Sequence, residues 1–189
     1  MDRGADVVNW ATILQTVIGA GIGSALIQGA LPILREQWDR RSRAAYMAIR
    51  LAVILEAYAA ACFDLISTNE NAQHRPDERL PDWKVNLPEL ADYPDDAEGW
   101  RALDRQLAGR ALGFRNKVRE SQGLIHDTIY FNDDAIGDHV EQEATARGLE
   151  AWRLAVDLRA KHKVEAAEKV WDYVEPLEKI EKRITKHDR

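Results

Sequence analysis

Three rhythms of apolar and polar positions divide this chain. The first is an unbroken one: from Val7 to Leu34, VVNWATILQTVIGAGIGSALIQGALPIL, 28 consecutive residues carry no charge. Eighteen or more apolar residues with few charges is the usual threshold for a membrane-spanning helix, and this run also carries Asn9, Thr12, Gln15, Thr16, Ser24 and Gln28. At about 1.5 Å per residue the run reaches roughly 42 Å, enough to cross a bilayer with some tilt. Trp10 and Trp38 stand near its two ends, where indoles favour the water interface. Arg35, Arg40, Arg41 and Arg43 follow at once, whereas only Arg3 and the amino terminus, offset by Asp2 and Asp6, precede it. This asymmetry predicts a single-pass anchor with the C-terminal body in the cytoplasm.

Polar and small residues within the run fall into rows. Asn9, Thr12, Thr16, Gly19 and Gly23 share one helical stripe, and Gly21, Ala25 and Gly29 recur at every fourth position on another side. Small residues let membrane helices approach closely, and hydroxyls and amides bond across the contact. Thr12, Thr16, Gly19, Gly21, Gly23, Ala25 and Gly29 are therefore the candidate packing positions. Two such faces point to self-association or to another membrane protein as partner.

The same run admits other readings. A cleavable leader would use Gly23-Ser24-Ala25, but the first six residues lack the positive excess that leaders carry. A long buried helix of a soluble protein is a second. A third is a dinucleotide-binding turn at Gly19, Gly21 and Gly23, with Thr12 to Ile18 as the preceding strand. That motif also needs a second apolar strand, and REQWDRRSR at 35–43 cannot supply one. A fourth is a small oligomeric pore lined by Asn9, Thr12 and Thr16.

The second rhythm is helical. Ala44, Ala48, Leu51, Leu55, Tyr58, Cys62 and Leu65 recur at steps of three and four between Ser42 and Ile66. Arg50, Glu56 and Asp64 interrupt this surface, which predicts a core helix of a soluble body rather than a second span. The two helices can run together across Leu34 to Ser42. A further helix is predicted from an Asp95/Glu98 start through Trp100, Leu103, Leu107, Ala111, Phe114, Val118, Ile125 and Ile129, with a break near Gly113. Asn132-Asp133-Asp134 then signals a turn. Ile136 begins a last long helix whose pattern continues through Trp171, Leu177 and Ile184, with Pro176 as its kink or end. Its charged surface beyond Lys161 resembles a solvated helix or a coiled-coil flank.

The third rhythm lies between them. Pro76, Pro81, Pro88 and Pro94 exclude a continuous helix over 72–99. From Ser67 to Trp100 there are nine acidic and three basic residues, a balance of -6 that equals the formal net charge of the whole chain. Leu80, Trp83, Val85, Leu87, Leu90 and Tyr93 give this stretch regular apolar contacts, so it reads as a strap across the helices with its acids in water. An acidic docking strip for a basic partner is the functional alternative.

The predicted fold is thus all-α: one transmembrane helix, then a small helical bundle or antiparallel hairpin with a Pro-rich acidic loop. Residues 1–41 form the anchor and basic juxtamembrane segment, and 42–189 the helical domain, with 160–189 its charged C-terminal helix. The acidic balance argues against nucleic acid as partner. One cysteine, Cys62, excludes an internal disulfide and a multi-cysteine metal site. No phosphate-loop, nucleophile-elbow or zinc-helix motif occurs, so no catalytic residue, cofactor or metal is assigned. His139 and Glu143, one turn apart, have the spacing of two metal ligands, but acids capping a helix beside a surface histidine explain the same residues and are the preferred reading. Cys62 reads as a buried small hydrophobe. Glu56, a carboxylate beside an apolar stripe, requires a partner; a distant arginine is the default. The function these features suggest is membrane-anchored interaction or scaffolding.

Overall fold

The computed structural model describes the backbone of residues 10–73, 84–131, 136–165 and 173–187, and most side chains within those ranges from Leu34 onward. Five helices are described: α1 (Trp10–Gln73), α2 (Ala97–Ala102), α3 (Arg105–Phe131), α4 (Ile136–His162) and α5 (Val174–His187). No strand occurs among the described residues, so the all-α prediction holds. Two compact units divide at Ser42, Met1–Ser42 and Arg43–Arg189.

Helix α1 is a single helix of 64 residues, continuous across Leu34 to Ser42. The reading of Thr12 to Ile18 as a strand is corrected here: the backbone stays helical through Gly19, Gly21 and Gly23. A stretch without prolines until Pro32, rich in Ala, Leu and Ile, can hold intrahelical hydrogen bonds throughout. The side chains at the packing positions Thr12, Thr16, Gly19, Gly21, Gly23, Ala25 and Gly29 lie outside the described residues. Among the described residues no helix is long and apolar enough to cross a membrane.

In the unit Arg43–Arg189 the core is centred on α4. One side of α1 contributes Met47, Leu51, Leu55, Tyr58, Cys62 and Ile66, all buried. From α3 come Leu107, Ala111, Phe114 and Ile125; from α4, Val140, Ala144, Leu149, Leu154 and Leu158; from α5, Leu177 and Ile180. Helix α4 packs on both α3 and α5. Phe114 meets Tyr58 edge-on, with ring centroids 5.6 Å apart, a favoured aromatic geometry. Ion pairs rim these contacts, Arg110–Asp157 and Lys117–Glu150 between α3 and α4, and Arg183–Glu141 between α5 and α4. All are at least partly exposed, so they orient the helices more than they stabilise them.

Glycine marks two close approaches: a Cβ at Gly99 of α2 would lie 3.3 Å from the Met47 Cβ of α1, and Gly148 is the second. A Cβ at Gly148 of α4 would lie 3.1 Å from the Cys62 Cβ and 3.3 Å from the Leu177 Cδ1. The missing side chain is what lets α4 sit this close to α1 and α5. By contrast, a Cβ at Gly109, Gly113 or Gly123 of α3 would meet nothing within 4 Å. Alanine at any of these three α3 positions should raise stability by about 0.5–1 kcal/mol, the helix-propensity gain. Gly148→Ala should give no such gain. Urea denaturation of the four single variants checks this; an equal gain at all four would contradict the packing argument.

The helix boundaries depart from the sequence reading in three places. No break occurs at Gly113, because α3 runs through it. The interruption is at Leu103–Asp104, where the Asp104 carboxylate accepts from the Gln106 and Leu107 amides, 3.0 and 3.2 Å, and starts α3. Chiefly through the Leu107 amide, these bonds hold the Asp104 carboxyl below its ordinary range. Second, the cap of α2 is Asp96, not Asp95, accepting from the Gly99 amide at 2.9 Å. Third, the last helix is two. Helix α4 ends in a paired motif, Val164 N–H to Arg159 C=O and Lys163 N–H to Ala160 C=O, with Lys163 at φ 54°. This is a Schellman termination, in which a residue adopts the left-handed conformation that cannot continue a helix. Pro176 then lies in the first turn of α5, where its missing N–H costs no intrahelical bond. The Asn132-Asp133-Asp134 turn and Trp171 lie outside the described residues.

Residues 84–96 form the expected strap, while Pro76, Pro81 and Trp83 lie outside the described residues. Asn69 of α1 holds the Lys84 backbone by two hydrogen bonds, 2.9 and 3.0 Å. Gln122 of α3 accepts from the Leu87 amide and donates to Asn86. Tyr93 donates to the Ala111 carbonyl, and Arg115 sits 4.9 Å above its ring. Leu87 is buried, while Glu89, Asp92 and Asp95 are exposed. The strap is fixed by amide side chains reaching its backbone and by apolar residues beneath it.

Candidate functional site on the outer face of the first helix

The helical repeat gives α1 two faces, and only one is used by the core. Opposite Met47, Leu51 and Leu55 stand Tyr46, Ile49 and Val53, at 58%, 38% and 51% exposure. Ala57 is exposed and Ala60 half-buried on the same side. Isolated surface apolar residues are ordinary, but several in one row on one helix are a recognition feature. Arg50 and Asp64 flank this row, both exposed. The Arg50 guanidinium lies 5.7 Å above the Tyr46 ring, a cation–π contact. The described residues provide no ion-pair partner for either Arg50 or Asp64.

N-terminal to this face, Leu34 and Trp38 are exposed at 60% and 75%. The topology arginines Arg35, Arg40 and Arg41 are exposed as well. Arg43 differs: it is salt-bridged to Glu98 at the start of α2. One of the four candidate membrane-side charges thus also joins α1 to the end of the strap.

The remaining candidates divide clearly. Glu56 has the distant arginine its position required. Arg159 of α4, whose side chain is 9% exposed, donates from Nε to one Glu56 oxygen at 2.7 Å and from its second terminal nitrogen to the other at 2.9 Å. Its third nitrogen donates to the Glu165 carbonyl at 2.9 Å. The group is a clamp tying α1 to the end of α4, with each of the three guanidinium nitrogens hydrogen-bonded within the fold. Cys62 is fully buried, and burial pushes its thiol up to about 12. The thiolate needed by a nucleophile is therefore absent at neutral pH. The Tyr58 hydroxyl is buried beside it. His139 is half-buried in the first turn of α4, and no group of three or more metal-ligating side chains occurs among the described residues.

The residues that sequence reading missed are Tyr46, Ile49 and Val53. Their signal was present as apolar positions off the 44–65 stripe. In a helix apolar on both sides, periodicity alone does not say which side faces the core. Comparison of the chain with protein-family models, with curated proteins and with solved structures finds no match in any of the three.

Proposed function

We propose that this chain is a membrane-anchored interaction protein, tethered by a single transmembrane helix within Val7–Leu34, with a cytoplasmic helical body that presents a docking face. The observation that carries the docking role is the row Tyr46, Ile49 and Val53 on α1, exposed on the side away from a complete core. A helix that only served the core would gain solubility from polar residues there. Support for the anchor comes from 28 uncharged residues followed by four arginines within nine positions, all exposed in the structure. The continuous helical backbone from Trp10 suits a spanning segment, because hydrocarbon requires every backbone group to be bonded within the segment. It suits the dinucleotide-binding turn less, since that turn interrupts strand and helix.

Fractionation of cells producing a C-terminally tagged chain tests the anchor. Full-length protein is expected in the membrane pellet after an alkaline carbonate wash. Full-length protein in the soluble fraction overturns it and makes Val7–Leu34 a buried or partner-covered helix.

A further inference from the structure

We propose that the outer face of α1 is a self-association surface, on which a second copy of this chain docks with its own α1 running in the opposite direction. The inference rests on the docking role proposed above; because α1 is one helix, chains that are also anchored would pair in this sense between facing membranes.

The order of residues along the face decides the occupant. A cation, Arg50, stands at one end; Val53, Ala57 and Ala60 fill the middle; an anion, Asp64, stands at the other end. Arg50 and Asp64 are 14 residues apart, about 21 Å along the helix and close to four whole turns, so they share one side. Turned end for end about an axis at Ala57, the face becomes its own complement. Arg50 of each copy then meets Asp64 of the other, giving two identical ion pairs. Such an isologous contact closes on itself as a dimer. Antiparallel helices bring equivalent flanks together, and Arg50 and Asp64 lie on the same flank. The small residues Ala57 and Ala60 at the axis permit close backbone approach, and Val53 covers the second copy's alanines.

Parallel pairing fails on the same residues. It would bring unlike flanks together and leave both Arg50 and Asp64 without an opposite charge across the contact. A general basic or acidic partner would satisfy one end of the face and leave the other unpaired. A second copy reversed supplies both charges at the right separation.

Charge reversal is the test, since both residues are exposed and their replacement leaves the core intact. The full-length chain is purified from whichever cell fraction holds it, and self-association is measured by sedimentation at low and high salt. Arg50→Asp and Asp64→Arg alone should each weaken association about tenfold or more. The double variant, which restores both pairs in reverse, should return close to the original affinity. Mixing Arg50→Cys chains with Asp64→Cys chains and adding a short bis-maleimide should give the mixed cross-link in preference to either like-with-like product. Buried Cys62 serves as the unreacted control. Any of three results overturns the proposal: a monomeric parent chain, single reversals without effect, or like-with-like cross-linking that reveals parallel helices. None of these bears on the carbonate result, so the two readings fail separately.

Discussion

Replacing Phe114 by alanine should cost the unit Arg43–Arg189 about 4 kcal/mol, the largest loss expected from a single side-chain truncation here. Phe114 is 1% exposed and projects from α3 toward α1, where it meets Tyr58. Truncation removes the ring's burial, leaves a cavity that rigid helices cannot close, and ends the edge-on aromatic contact. Against a typical total of about 5–15 kcal/mol, a loss of this size leaves a marginal fold. Thermal denaturation should show a fall in Tm on the order of 10 °C. A fall of only a degree or two would mean that α3 is not held by this contact.

The second large effect concerns the Glu56–Arg159 clamp. Arg159→Met should cost about 3 kcal/mol, because it leaves the Glu56 carboxylate in a largely apolar setting with neither of its two donors. The same change removes the hydrogen bond that Arg159 gives to the Glu165 carbonyl just beyond α4. Glu56 keeps about a quarter of its side-chain exposure, which places the cost toward the lower end for broken buried pairs. The double variant Glu56→Leu, Arg159→Met should recover most of the loss, since two apolar groups need no partners. A double-mutant cycle in urea measures this. Strict additivity of the two single losses would show that the pair does not act as one unit.

What is readable in the sequence follows local rules. The 44–65 stripe of α1 becomes the buried face because a 3.6-residue repeat is visible to inspection. The strap is legible because prolines forbid a helix while regular apolar residues demand a surface to lie on. Glu56 announces a missing partner, but nothing local can name Arg159, 103 residues away. Helix ends are misplaced for a related reason. A break at Gly113 asks more of one glycine than a cost of about 1 kcal/mol supports once α3 packs against a core. Asp104, which stops one helix and starts the next by accepting two amide protons, has no distinctive signature among so many aspartates. The end of α4 at Lys163 is hidden because a residue other than glycine takes the left-handed position. The outer face of α1 is the hardest to see: a helix apolar on both sides gives one pattern and two uses.

The tight seat of Cys62 against Gly148 has a practical consequence. This is the chain's one thiol, fully buried at the contact between α1 and α4. A thiol reagent can reach it only when those two helices separate. Its labelling rate is thus a native clock for opening of the body, requiring no introduced probe. Read beside amide exchange in α3 and α5, that clock tells whether the helices come away singly or all together.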